Sequence, residues 1–190
     1  DRVRLPVPRL DDLLRAFEQD GAKTRDGAGY ASRAELIDYC GRSANPVGRL
    51  LLHLYGVHDA QALARSDAIC SALQLINFWQ DLGVDIPRGR FYLPEDRCAA
   101  LGVNPRSLDQ TPQATALIEE NVRWARGLMR EGSPLVHQVS GRAGWELRLV
   151  VQGGLRILDK IEALRYRTLK TRPRLHAWDL PVLLWRALWM

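Results

Sequence analysis

The chain has 190 residues, 46% apolar, 26% charged and 7% aromatic, which is enough for one globular core and excludes disorder and collagen-like repeats. Its 27 Lys and Arg against 22 Asp and Glu give a formal charge of +5, favouring an anionic partner such as phosphate, diphosphate, a membrane surface or nucleic acid. Three scattered cysteines, Cys40, Cys70 and Cys98, exclude a disulfide framework or zinc spacing and make a reducing cytoplasm the expected location.

Gly and Pro separate apolar segments of helical spacing, and no sustained alternation occurs, so the chain reads as all-α. A first helix is expected over Leu10 to Gln19, with Leu13, Leu14 and Phe17 as its apolar stripe, followed by a loop from Gly21 to Gly29. Ser32, three residues before Glu35, has capping-box spacing and starts a helix through Leu36, Ile37 and Cys40. Pro46 removes a backbone donor, so a break is expected near Ser43 to Asn45. From the N-cap Asp59, an uninterrupted pattern runs to Asp85, stopped by Pro87, and is expected to be the longest helix. A basic loop follows over Arg88 to Pro94, then a short helix bracketed by Pro94 and Gly102. Thr111 and Pro112 open a helix that Gly132 closes. A long pattern from Gly144 to Leu169, a basic loop with Pro173, and an apolar helix from Trp178 to Met190 complete the chain. No apolar run approaches the roughly 18 residues of a membrane span, no leader opens the chain, and its start at Asp1 suits a fragment.

The informative segment runs from Gln74 to Asp85. On a continuous helix with Asp81 at zero, Asn77 falls near −40°, Asp85 near +40° and Gln74 near +20°, at about 6 Å per four-residue step. Two carboxylates and an amide oxygen then line one wall, a donor set of hard oxygens without His or Cys that suits Mg²⁺ and a phosphorylated substrate. Asp pairs at this spacing also occur on solvated helix faces. Here, however, like charges one turn apart sit at a helix C-terminus, two local penalties that a cation would offset.

Three stretches, Tyr39-Cys40-Gly41-Arg42-Ser43-Ala44-Asn45-Pro46-Val47-Gly48, the Gln74–Asp85 segment and Arg88-Gly89-Arg90-Phe91-Tyr92-Leu93-Pro94, resemble the squalene and phytoene synthases in sequence and order. The resemblance implies an all-α isoprenoid synthase-type bundle that joins or rearranges prenyl diphosphates with Mg²⁺ held between two Asp-rich motifs. Asp81 and Asp85 look like the second motif, with Asn77 as an Mg²⁺ ligand and Gln74 as a polar contact. Tyr39 matches the tyrosine near the reacting carbons, and Asp20, Lys23 and Tyr30 match more loosely the loop before it. The first motif has no counterpart, so the chain reads as the C-terminal two-thirds of such a domain, inactive alone.

The chain departs from the family pattern at Gln80, where many members have Arg, at Val84, where many have Glu, and at Ala44-Asn45-Pro46. These departures resemble the hydroxysqualene synthase branch of bacterial hopanoid biosynthesis. That branch implies ionisation of presqualene diphosphate, cation rearrangement and capture by water without NADPH, with Ser43 and Asn45 positioning the water. The alternatives are a condensing synthase that forms presqualene diphosphate or phytoene, acting on farnesyl diphosphate or its longer homologue, and a non-catalytic helical module for anionic lipid or nucleic acid.

Arg88 and Arg90 stand within reach of a diphosphate, or form a solvated loop. Tyr39 and Phe78 offer ring faces to a carbocation, whereas Trp79, near 160°, points to the core. Cys70, near −20° and about 16 Å back along the helix, either leaves room for a prenyl tail or is a buried thiol. Nine basic and three acidic residues from Arg142 to Arg174 raise nucleic acid as a rival, but no recognition motif accompanies them, and none is expected to bind. The Trp178–Met190 helix is expected to be buried; the other reading is peripheral contact at the inner membrane face. His53, His58, His137 and His176 lack metal-ligand spacing.

Overall fold

A computed structural model describes residues 8–190, with side chains from Asp11 onward. The described residues form α1 (Pro8–Asp26), α2 (Arg33–Ser43), α3 (Asn45–Leu54), α4 (Ala60–Gln80), α5 (Leu82–Asp85), α6 (Glu95–Ala100), α7 (Pro112–Gly132), α8 (Gly141–Ala163) and α9 (Leu180–Leu188). Short 3₁₀ turns lie at Ile86–Arg88, Ser133–His137 and Ala177–Asp179, and the described residues contain no strand.

The bundle is organised around α4, which packs against α2, α3, α7 and α8. Ala62, Ala68, Ile69, Ala72, Leu75, Ile76, Phe78 and Trp79 bury different sides of this helix, as a central helix must. Close approach depends on glycines in its neighbours. A Cβ on Gly132 of α7 would come within 2.6 Å of the Arg65 carbonyl oxygen, and one on Gly48 of α3 would overlap Ser66 and Cys70.

Local signals set most boundaries. Ser32 accepts from the Glu35 N–H at 3.3 Å, Asp59 caps α4 through the Ala62 N–H at 2.8 Å, and Thr111 caps α7 through the Ala114 N–H at 3.1 Å. The capping box is one-sided, because the Glu35 carboxylate accepts instead from the Ala31 N–H at 2.6 Å. Pro46 divides α2 from α3 where expected, with Ala44 between them.

Five expectations are corrected. The first helix continues through Gly21 to Asp26, and Gly27, with φ +62°, ends it. Its expected stripe is not a core face, since Leu14 and Phe17 are exposed and Ala16 is buried. The Asp59–Asp85 pattern is interrupted at Asp81, whose φ/ψ of −105°/11° separates α4 from α5. The longest helix is α8 with 23 residues, ending at Ala163 rather than Leu169. The final helix is shorter than expected and only half covered: Leu183 and Ala187 are buried, while Trp178, Leu180, Leu184, Trp185, Leu188 and Trp189 are exposed.

Candidate functional site

The end of α4, the last two residues of α5 and the turn after it form one wall of a cavity of about 580 Å³. Gln74, Asn77, Phe78, Asp81, Asp85, Arg88 and Arg90 line it, with Tyr39 of α2 and Asp20 of α1 opposite in sequence. The break at Asp81 keeps the two carboxylates together. The Asp85 and Val84 N–H groups each donate to the Asp81 carbonyl at 2.8 Å, so a tight turn replaces the continuous helix while both side chains still face the cavity.

Arg90 folds back toward Asp85. Its N–H donates to the Asp85 carbonyl at 3.0 Å, and its guanidinium stands 4.0 Å from the carboxylate. Gly89, with φ +76°, supplies the left-handed residue that this reversal requires. Asp85 is 8% exposed, and its carboxyl is held above the usual carboxylate range, first by burial and then by the Asp81 charge. Arg90 and Arg88 oppose that rise, and four arginines border the cavity.

A segment from the far end of the chain closes the site. Residues 164–176 cross the α4–α5 junction: Gln80 donates to the Pro173 carbonyl at 2.6 Å, and Arg172 makes a two-pronged contact with the Asp81 carboxylate. Gly83, between the two aspartates, lies beneath this strap; a Cβ there would overlap the Leu169 carbonyl oxygen. Arg174 lines the same cavity. Thus the unusual Gln80 is a strap anchor.

The floor is aromatic. Phe78 and Tyr92 stack at 3.8 Å between centroids and 10° between planes. Tyr30 and Tyr39 meet at 5.3 Å. The Tyr92 hydroxyl donates to Asp20 at 2.7 Å. Burial, with Asp20 nearby, pushes the Tyr39 phenol up to about 12, and burial raises Tyr30 and Tyr92 further. These phenols stay protonated at neutral pH, so the carboxylates carry the negative charge of the site.

Ser43 and Asn45 do not line this cavity. Asn45 Oδ1 accepts from Ser71 Oγ at 2.9 Å, tying α3 to α4, and the buried Ser43 hydroxyl lies near enough to the Tyr39 phenol to lower its pKa. Periodicity missed Arg172 and Arg174, which counted only as members of a basic run, and Tyr92, quoted within its motif but given no role. Trp79 lies in the core. Cys70 lines a separate apolar cavity of about 290 Å³ with Gly48, Leu51, Leu73 and Val150.

Among the described residues, no three His, Cys, Asp or Glu side chains are grouped to hold a metal. The donor set nevertheless fits Mg²⁺, which commonly takes one or two carboxylates and fills its remaining positions with water and substrate phosphate. Asp81, Asp85 and the Asn77 amide oxygen would hold it. A second apolar cavity of about 440 Å³, lined by Leu73, Ile76, Leu149, Val150 and Leu183, also touches Asn77. Asn77 therefore borders both a polar and an apolar cavity, and the apolar one shares Leu73 and Val150 with the cavity at Cys70.

The description "Squalene/phytoene synthase" matches residues 1–179. A hydroxysqualene synthase of Sinorhizobium fredii is 34% identical over 188 residues, covering 97% of this chain and 62% of the relative. A phytoene synthase of Thermus thermophilus is 38% identical over 191 residues, covering 98% and 64%. The crystal structure of squalene synthase HpnC from Alicyclobacillus acidocaldarius superimposes with a TM-score of 0.80 at 34% identity, over 85% of this chain and 61% of that one. The chain thus spans a little under two thirds of the length of these relatives. With the isoprenoid synthase-type helical fold that it shares with them, the chain belongs to the squalene/phytoene synthase family.

Proposed function

We propose that the cavity binds the diphosphate of a prenyl substrate with Mg²⁺, and that the whole protein converts presqualene diphosphate to hydroxysqualene without NADPH. The observation that carries this reading is the convergence of Asp81, Asp85 and Asn77 with Arg88, Arg90, Arg172 and Arg174 on one cavity, with an apolar cavity on which Asn77 also borders. A diphosphate needs the first environment and a prenyl chain the second.

Bound Mg²⁺ would supply Lewis-acid charge to the diphosphate oxygens. The arginines offer forked donors to the same group, which leaves with the electron pair of the breaking C–O bond. Phe78, Tyr39 and Tyr92 line the same cavity, and aromatic rings favour a nearby positive charge electrostatically. Gln74 is a polar contact on the same wall. Water then adds its oxygen to the rearranged cation and loses a proton. Ser43 and Asn45 enter this proposal as positioning residues, Ser43 behind the Tyr39 phenol and Asn45 at the α2–α3 junction. An Asn45→Gly variant unchanged in product and rate removes Asn45 from it.

The relatives named hydroxysqualene synthase favour this branch. The similarity to a phytoene synthase favours a second reading, head-to-head condensation of two prenyl diphosphates. Supplying the full-length protein with presqualene diphosphate and Mg²⁺, without NADPH, separates them by mass spectrometry. A C30 alcohol supports the first reading; intact presqualene diphosphate, with farnesyl or geranylgeranyl diphosphate consumed instead, supports the second.

A further inference from the structure

Arg172 reaches Asp81 from a segment with few fixed points of its own. Among the described residues from Lys170 to Val182, only Pro173 and Asp179 are buried, and each is held by a different helix. Pro173 is tied to α4 through its carbonyl, which accepts from Gln80 at 2.6 Å. Asp179 is tied to α8. Its fully buried carboxylate meets Arg156 Nε at 2.8 Å and Lys160 Nζ at 2.7 Å. Those two cations stand four residues apart on one helix face, a spacing at which like charges repel, and the carboxylate between them offsets that penalty.

The same cluster grips the end of the strap. The Asp179 carboxylate accepts from the His176 N–H at 2.8 Å, and the His176 carbonyl accepts from the Asp179 N–H at 2.9 Å. The chain at His176 therefore cannot lift from α8 without disturbing the cluster. Leu175 lies over Gly153 of α8, where an added Cβ would stand 3.6 Å from Leu175 Cδ1. Arg172 precedes His176 by four residues, and between them Pro173 has a fixed φ and a bonded carbonyl. A buried ion cluster contributes little net stability over apolar packing of the same volume. What this one supplies is a single arrangement of strap and helix.

We propose that Asp179 is a positioning residue: bridged to Arg156 and Lys160, it latches the strap to α8 and so keeps Arg172 on the Asp81 carboxylate, ready to pass to a bound diphosphate. What Arg172 does there rests on the reading of the cavity given above; the latch itself rests on the contacts of Asp179. With the latch open, Gln80 alone holds this half of the strap, and Arg174 to Trp178 contain no buried residue. Arg172 would then have to be ordered afresh each time it meets Asp81 or a diphosphate, against the entropy of the freed backbone. Closed, the latch has met that cost in advance, as positioning groups do.

The test is calorimetric titration of Mg²⁺ and of inorganic diphosphate into the full-length protein, with limited trypsin digestion of the same variants. Asp179→Asn keeps the shape and an acceptor for the His176 N–H but removes the charge that holds Arg156 and Lys160. It should shift ligand binding as loss of Arg172 does, with Mg²⁺ alone up to about fivefold tighter and diphosphate weaker. In an Arg172→Gln background it should change either by less than about twofold, because both residues act through one contact. Trypsin should cut at Lys170 or Arg174 roughly fivefold faster or more, since cleavage follows the population of the open strap. Lys160→Met, which leaves Arg156 in place, is the milder variant and carries the same signs should Asp179→Asn fail to fold. Asp159→Asn breaks ion pairs of α7 and α9 with α8 but none of the strap, so it should leave ligand binding and strap cleavage at wild-type values. Wild-type strap cleavage in the latch variants, full effects retained in the Arg172→Gln background, or equal effects from Asp159→Asn overturn the proposal. So does a lowered melting temperature with ligand binding unchanged. A wild type that binds neither ligand overturns the reading of the cavity instead, and strap cleavage alone then decides for or against the latch.

Discussion

Arg172 closes on the Asp81 carboxylate with two guanidinium nitrogens, Nη2 at 2.8 Å, across 91 residues of sequence. A planar fork on a carboxylate is the strongest geometry open to such a pair. It also places a cation on oxygens proposed to bind Mg²⁺. A metal there would have to compete with the guanidinium for Asp81, and a diphosphate that accepts from Arg172 would relieve that competition. An Arg172→Gln variant should therefore bind Mg²⁺ up to about fivefold more tightly in the absence of substrate, the scale of a partly exposed ion pair, while binding inorganic diphosphate more weakly. Calorimetric titration of each ligand checks both signs, and weaker metal binding by the variant would count against the competition.

Gly83 separates the two aspartates because the strap leaves no room for a side chain. Its Cβ would overlap the Leu169 carbonyl oxygen and lie 3.2 Å from that of Thr168. Backbone atoms cannot rotate away as a side-chain tip can. Gly83→Ala should destabilise the protein by about 1–3 kcal/mol and displace the strap with Arg172. Denaturant unfolding reads the first effect; faster tryptic cleavage at Lys170 or Arg174 reads the second.

Asp85 gives the site a pH dependence of defined sign. Burial and the Asp81 charge raise its pKa in the folded state, so between the unfolded value, about 3.9, and the raised value the native state binds more protons. Stability then falls as pH rises through that window, and the penalty is full above it. Chelator-treated Asp85→Asn protein should lose this dependence and melt higher than wild type at neutral pH. Mg²⁺ should cancel the difference by stabilising only the wild type. A variant that melts lower at neutral pH contradicts the assignment.

Tyr92 joins the aromatic floor to α1 through Asp20. Removing only the hydroxyl, as in Tyr92→Phe, keeps the stack on Phe78 and leaves a carboxylate without its donor. The expected cost is about 1.5–3 kcal/mol, as for hydrogen bonds to charged groups, measured by denaturant unfolding, with the helical circular dichroism unchanged.

Much of this architecture is legible locally. Ser32, Asp59 and Thr111 cap the helices they announce, and Pro46 divides α2 from α3. The break at Asp81 is not legible, because the apolar pattern runs through it and the strap over Gly83 comes from a distant part of the chain. Gly21 misleads in the opposite sense: a single helical glycine is tolerated, and Gly27 makes the left-handed exit. The Asn77, Asp81 and Asp85 wall follows from spacing because one short stretch supplies it. Arg172, Arg174 and the Tyr92–Asp20 contact arise from tertiary packing and leave no periodic signal. For α9, apolarity announced a face in need of cover but not what covers it.

Asp81 and Asp85 are proposed to form a metal-dependent diphosphate site. The most direct measurement is calorimetric titration of inorganic diphosphate into the full-length protein with and without Mg²⁺, for wild type, Asp81→Asn and Asp85→Asn. Binding should depend on Mg²⁺ in the wild type and weaken by roughly tenfold or more in each variant, since each loses one proposed carboxylate ligand. Binding that ignores Mg²⁺, or survives both substitutions unchanged, would contradict it.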